Sequence, residues 1–331
     1  MSEPRAKDLA GFLGRDLPPP GDEPRDPRPA PTPRIGRYEL LEVLGRGGGG
    51  IVHRARDPLL GRQVALKTLA DDQQGEAALR LQREALLTSR LSHPGIVQVY
   101  ETGAGGGRHW IAMQLVEGPT LDRRWPELDL RGRIRLLEQV AEAVGAAHRA
   151  GVVHRDLKPT NVLVGPGDHP RVSDFGLART VDQLTRLTAS GVVMGTPLYI
   201  APEQLLPDST PAGPRADVWA LGVMLYQMLV GSLPFRGANM EALLQAILET
   251  DPPPVGPDVP VELDRIARTC LAKNPAARYP SAADVAAELR AWLDGGSMRG
   301  GPRPERWRTL AALALPILIA LVLAAWWTLR G

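Results

Sequence analysis

Apolar and polar positions along this chain follow two periods, and the change from one to the other divides it. YELLEVLG from Tyr38, IVHRARD from Ile51 and RQVALKTLA from Arg62 are short runs of the kind that strands require, with tight connections at Asp57–Pro58 and Gly61. EAALRLQREALLTSRL then sets Ala77, Leu81, Ala85 and Thr88 or Leu91 at helical spacing. Two further strands are predicted around IVQVYETG and RHWIAMQLV. Beyond Gly118 the period turns helical. Ile134, Leu137, Val140, Ala141 and Val144 mark one face of a helix that should stop at Gly151, and further helices are predicted near 217–231, 239–249, 261–272 and 281–293. A strand-rich first part and a helix-rich second part predict an α+β fold of two lobes over residues 38–293.

The two ends differ from this middle. Residues 1–37 carry nine prolines by Pro33, eight of them from Pro18 onward. Such a segment cannot bury enough apolar surface to offset its ordering entropy, and it reads as a disordered Pro-rich tail. It lacks the apolar run of a signal peptide. Residues 294–308 read as a Gly/Pro/Arg linker. Thr309 to Leu329 then run 21 positions without a charge. As a helix that length spans roughly 30 Å, about the thickness of a bilayer's hydrocarbon core. Trp326 and Trp327 suit a membrane interface. Arg299, Arg303, Arg306 and Arg308 before the run, against Arg330 after it, orient the globular part toward the cytoplasm. The expectation is a single-pass anchor in the cell membrane.

Composition narrows the function. Hydrophobic residues make up 44% and charged residues 23%, which excludes global disorder. The balance of 39 basic against 37 acidic residues argues against a nucleic-acid partner. One cysteine, Cys270, excludes a disulfide framework within the chain, and its apolar surroundings in IARTCLAKN read as core. Lysine is scarce: only Lys7, Lys67, Lys158 and Lys273 stand among the basic residues, the rest being arginine. Each lysine is therefore informative.

Three motifs carry chemistry. Gly45-Arg46-Gly47-Gly48-Gly49-Gly50-Ile51-Val52 joins two strand-like runs, so it is a glycine-lined hairpin rather than a dinucleotide-binding turn. Such a hairpin can lay backbone N–H groups over phosphates without obstruction by Cβ atoms. Lys67, at the end of the strand VALK, can hold phosphate oxygens as a point charge. His154-Arg-Asp-Leu-Lys-Pro-Thr-Asn161, with Asp174-Phe-Gly176 beyond it, brings together two carboxylates, a lysine and an amide. Asn161 and Asp174 offer oxygens to a hard cation such as Mg²⁺. Asp156 can accept a proton from an attacking hydroxyl, and Lys158 can neutralise charge on a transferring phosphoryl group.

With Ala201-Pro202-Glu203 following in order, the set resembles a eukaryotic-type serine/threonine protein kinase, in the style of the bacterial receptor-like family. The resemblance implies the two-lobed kinase fold and use of ATP with Mg²⁺, or Mn²⁺ in its place. It implies catalytic roles for Asp156, Lys158, Lys67 and Glu84, the last being the ion-pair partner of Lys67. It implies metal ligation by Asn161 and Asp174. ATP is expected along Leu44, Gly45, Arg46, Gly47, Gly48, Gly49, Gly50, Ile51 and Val52, at Lys67, and at the hinge through Gln114 and Val116, with Met113 as gatekeeper. Gly49 stands where the family usually has an aromatic residue. Arg278 is expected to pair with Glu203, and Asp217 to begin the central buried helix. The implied partners are protein substrates, ATP and the bilayer, with a homodimer for autophosphorylation in trans. Thr185, Thr188 and Ser190 are the expected phosphosites of the activation segment, and Thr196 is expected to bond within the catalytic loop. A membrane-tethered pseudokinase scaffold is the alternative reading.

Overall fold

A computed structural model describes residues 33–47, 50–68, 88–89, 91–105, 108–175, 198–206 and 213–295. Outside the described residues lie most of the Pro-rich tail and the helix expected over 76–91, apart from Thr88, Ser89 and Leu91. The expected phosphosites and the run 309–329 lie outside them too. Among the described residues no helix is long and apolar enough to cross a membrane.

The first part is a six-stranded antiparallel sheet. Its strands are β1 (Arg34–Ile35), β2 (Tyr38–Gly47), β3 (Gly50–Asp57), β4 (Arg62–Thr68), β5 (Val99–Gly105) and β6 (Arg108–Gln114). They lie in the order β1-β2-β3-β4-β6-β5. The five longer strands fall where the apolar runs predict them. The turn between β3 and β4 is closed by the buried Asp57, whose Oδ1 accepts the N–H groups of Leu59 at 3.0 Å and Leu60 at 3.3 Å.

A two-residue strand, β1, precedes Tyr38 in the sheet. Arg34 and Ile35 pair with Glu39 and Tyr38, and the Leu40 N–H donates to Pro33 O at 2.8 Å. Ile35 is buried in one cluster with Tyr38, Val64, Leu66 and Trp110. Gly36, at φ 56°, supplies the left-handed turn that returns the chain to β2. A single apolar residue beside one glycine is enough here, and the prolines before it mask the signal.

The second part is helical: α1 (Leu121–Arg124), α2 (Leu130–Arg149), α3 (Pro214–Val230), α4 (Met240–Glu249), α5 (Val261–Cys270) and α6 (Ala282–Leu293). A short hairpin of β7 (Val162–Gly165) and β8 (His169–Val172) is added, which the sequence pattern did not suggest. Asp129 caps α2 by accepting the Gly132 N–H at 2.7 Å. The predicted face of α2, Ile134, Leu137, Val140, Ala141 and Val144, is fully buried. Helix α3 is apolar nearly all round, as a helix at the centre of a domain must be, and it is buried along most of its length. Gly222 lets α5 approach it, since a Cβ there would lie 2.5 Å from the Cβ of Cys270. Cys270 is fully buried and burial raises its thiol pKa, as the core reading requires.

Arg278, fully buried, ties the elements below the cleft together. It donates in bidentate fashion to Glu203, Nη1 to Oε1 and Nη2 to Oε2, both at 2.8 Å. Its other N–H groups donate to the carbonyls of Ala272 at 2.7 Å, Arg215 at 2.9 Å and Lys273 at 3.2 Å. The guanidinium also lies over the ring of Trp219, 4.9 Å from its centroid. The pair joins the Ala201–Glu203 stretch to the start of α3 and the loop after α5. Lys273 is bound nearby, donating to Ile247 O at 2.6 Å above the Phe235 ring. Burial there lowers its pKa to about 8.

Removing one partner of such a pair leaves a buried charge uncompensated. Glu203→Ala should therefore destabilise the fold by roughly 3 kcal/mol, read as the change in denaturant-unfolding free energy. A change below about 0.5 kcal/mol, the range of ordinary surface substitutions, would show that the pair does not hold these elements.

Candidate active site

The cleft between the sheet and the helices is floored by the loop from His154 to Asn161, and one buried carboxylate sets that loop's backbone. Asp217, in the first turn of α3, is 1% exposed. Its Oδ2 accepts the His154 N–H and its Oδ1 the Arg155 N–H, both at 2.8 Å. Its Oδ2 also accepts from His148 Nε2 of α2 at 2.8 Å. Arg155 sits at φ 65°, a left-handed conformation that costs a non-glycine residue about 1 kcal/mol or more. Two charge-assisted hydrogen bonds to the adjoining amides offset that cost. His154, fully buried, donates from Nε2 to Ser173 O at 2.9 Å, and its Nδ1 accepts the Asp156 N–H at 3.3 Å. Its ring lies 4.8 Å from that of Phe175, so the two motif segments are locked together.

On this frame the motif side chains converge. Lys158 Nζ donates to Asp156 Oδ2 at 2.6 Å. Asn161 Nδ2 donates to Asp156 O at 2.8 Å and to its Oδ2 at 3.3 Å. Ser173 links the next segment: its N–H and Oγ donate to Asn161 O at 2.8 and 3.0 Å, and its Oγ lies 3.5 Å from Asp174 Oδ2. Asp174, itself left-handed at φ 60°, accepts from Lys67 Nζ in an ion pair that crosses the cleft. Burial alone would raise the Asp174 pKa. The charge and hydrogen bond of Lys67 outweigh it, so the carboxyl stays ionised below the usual carboxylate range. Lys67 itself is buried in β4, opposite Val52 of β3 and Ile111 of β6. Glu84, its expected partner, lies outside the described residues.

The residues fit a divalent cation of the Mg²⁺ kind. Asn161 spends its amide nitrogen on Asp156, which leaves its Oδ1 as the ligating atom, and Asp174 is an ionised carboxylate. Among the described residues no group of three or more His, Cys, Asp or Glu could hold a metal. A cation that takes two protein oxygens and completes its shell with phosphate and water needs no such group.

The remaining wall suits a flat ring and a phosphate chain. Val52, Ala65, Met113 and Val116 belong to one apolar cluster with Val97, Ile111, Val99 and Leu115. The Gln114 N–H is committed to Gln98 O at 2.8 Å and its side-chain oxygen to Arg171 at 3.2 Å. Gly118, at φ 150°, closes the hinge against β7, where a Cβ would lie 1.9 Å from Val164 O. In the glycine hairpin Gly45 pairs with Val52, Arg46 with Ile51, and Gly47 with Gly50. A Cβ on Gly45 or Gly47 would meet nothing within 4 Å, so the space beside them is open. Leu44 is exposed, and Gly48 and Gly49 lie outside the described residues.

Sequence reasoning missed the supporting roles of Asp217, His148 and Ser173. A lone carboxylate at the start of the apolar run VWALGVMLY was the available signal for Asp217. His148 and Ser173 carried none, because their partners are distant in the chain.

Comparison with known proteins agrees with this geometry. The protein kinase domain family matches residues 38–289. The chain is 38% identical over 290 residues to serine/threonine-protein kinase PknA of Mycobacterium tuberculosis, covering 83% of this chain and 65% of that protein. It is 39% identical over 291 residues to the DNA damage-responsive serine/threonine-protein kinase RqkA of Deinococcus radiodurans, covering 82% and 43%. It thus spans less than two thirds of these relatives. The crystal structure of the M. tuberculosis PknI kinase domain superposes with a TM-score of 0.64 at 26% identity, covering 80% of this chain and 99% of that one. A family match over the whole two-lobed fold, with the motif side chains gathered in its cleft, means that this chain belongs to the protein kinase family, among the eukaryotic-type serine/threonine kinases of bacteria.

Proposed function

We propose that the chain is an active kinase that transfers the γ-phosphoryl group of ATP to serine or threonine hydroxyls of proteins. The observation that carries this reading is the single hydrogen-bonded set of Asp156, Lys158 and Asn161, joined through Ser173 to the Asp174–Lys67 pair. A pseudokinase scaffold has no need of two carboxylates held at a cleft floor through left-handed backbone at Arg155 and Asp174. The adenine would lie on Val52, Ala65 and Val116, with the Gln114 carbonyl and the Val116 N–H at its edge. Backbone N–H groups from Gly45 to Gly50 would cover the phosphates. Lys67, with Glu84 behind it, would hold the α- and β-phosphates. Asn161 and Asp174 would ligate Mg²⁺, or Mn²⁺ in its place, and the bound cation would neutralise charge on the phosphate oxygens.

Asp156 then orients the substrate hydroxyl and accepts its proton at the carboxylate. Lys158, held against Asp156 Oδ2, supplies positive charge where the transferring group gains negative charge. Positioning and fixed charge account for most of the rate in this chemistry. Two further parts belong to the reading. The run 309–329 anchors the kinase in the cell membrane with its catalytic part in the cytoplasm. Autophosphorylation in trans within a homodimer places phosphate on Thr185, Thr188 or Ser190, where Arg155 can bond it.

Asp156→Asn, close in shape and lacking the charge, should lower transfer to a protein substrate about 10²- to 10⁴-fold without shifting the thermal midpoint by more than a few degrees. Phosphosite mapping of the wild-type reaction should find phosphate on Thr185, Thr188 or Ser190. Wild-type rates in a folded Asp156→Asn protein would overturn the catalytic assignment, and a phosphate-free 180–192 stretch the autophosphorylation. The anchor has its own check. The full chain should sediment with membranes and a chain lacking 309–331 should not; a soluble full chain would contradict it.

A further inference from the structure

The backbone on both sides of the Asp156 Cα is fixed by hydrogen bonds, and one of them comes from another segment. After the Cα, the Asp156 carbonyl accepts from Asn161 Nδ2 at 2.8 Å. Before it, the Asp156 N–H donates to His154 Nδ1 at 3.3 Å. The Arg155 carbonyl, in that same peptide unit, accepts from Gln204 Nε2 at 3.0 Å. Asn161 and His154 belong to the catalytic loop itself. Gln204 is 49 positions from Arg155, on the single turn Pro202–Leu205. The Arg155 N–H is held by Asp217, so both backbone groups of this left-handed residue are met by side chains from elsewhere in the chain.

The other end of the Gln204 amide is equally committed. Its Oε1 accepts the Ala201 N–H at 3.0 Å, and its backbone N–H donates to Ala201 O at 2.9 Å. This is a glutamine at the third position of a helical turn reaching back to the residue that opens it. The two partners fix which way the amide points. Its oxygen meets an N–H and its nitrogen a carbonyl, and a reversed amide would set like against like at both ends. Glutamate would close the turn as well as glutamine does. The nitrogen is the part that reaches the catalytic loop. The turn itself has a firm seat: Glu203 is bound to Arg278, and Ala201 is buried in one apolar cluster with Trp219 and Phe235.

We infer that Gln204 is a positioning residue for phosphotransfer. Through the Arg155 carbonyl it sets the peptide that aims Asp156 at the substrate hydroxyl, so the aim of the base depends on the docking of the Ala201–Glu203 stretch. This assignment rests on the phosphotransfer reading above. The bond is neutral and half open to water, which takes its place when it is lost. Removing it should therefore slow transfer only about three- to tenfold. The loss should fall on the transfer step, because Gln204 bonds the backbone before the base and touches none of the residues expected to hold ATP.

The test is single-turnover transfer by the full chain, with ATP and Mg²⁺, to a basic serine-rich protein. Gln204→Met, of similar length but without donor or acceptor, should slow transfer about three- to tenfold. Gln204→Glu keeps the turn closed but sets a carboxylate against the Arg155 carbonyl, and should slow it about tenfold or more. In both, the Kd for ATP should change by less than about twofold, and the thermal midpoint should stay within a few degrees. In an Asp156→Asn background either substitution should cost less than about twofold further, because no base is left to aim. Wild-type transfer in a folded Gln204→Glu protein overturns the assignment. So does a loss of the same size in the Asp156→Asn background, which is the mark of a merely structural residue, or a loss that appears in the Kd for ATP instead. If Gln204→Glu does not fold, Gln204→Met supplies the same comparisons. A wild-type chain that phosphorylates no protein at all overturns the kinase reading itself, a different result from wild-type transfer that is indifferent to Gln204.

Discussion

The cleft depends on the Asp217 carboxylate, buried at the start of α3 and bonded to two consecutive backbone amides of the catalytic loop. Those bonds hold Arg155 in a conformation that its side chain disfavours. Without them the chain from His154 to Asn161 has no reason to present Asp156 and Asn161 in one direction. The same carboxylate takes the His148 ring of α2. The loop is thereby set relative to the two most buried helices rather than to the surface.

Charge is then distributed in opposing pairs around this anchor. Lys158 meets Asp156, Lys67 meets Asp174, and Arg278 meets Glu203. The first two are partly open to the cleft and can be re-partnered by phosphate and cation. The third is closed by three carbonyls as well as the carboxylate, and so it is architectural. Burial separates the two uses of the same chemistry. Exchangeable pairs line the site, and the fully enclosed pair holds the elements that frame it.

Much of this was legible in the sequence, for local reasons. Strands β2 to β6 and helices α2 to α6 follow from apolar spacing and from their glycine and proline boundaries, all short-range signals. The motif residues were legible because glycine, lysine and carboxylate fall at spacings that few other structures need. What escaped was long-range or too short to carry a period. Strand β1 rests on one buried isoleucine, and β7 and β8 are four residues each. The Asp217 bonds span more than 60 positions. The Tyr199–Gln227 bond likewise joins separate elements.

Asp217 acts on chemistry through the loop it holds. Asp217→Asn keeps the volume and loses the charge that makes those bonds strong. Single-turnover transfer from bound ATP tests it directly. The transfer step should fall about ten- to hundredfold, with the Kd for ATP changed by less than about twofold and the fold retained. A folded Asp217→Asn protein that transfers phosphate at the wild-type rate would contradict it.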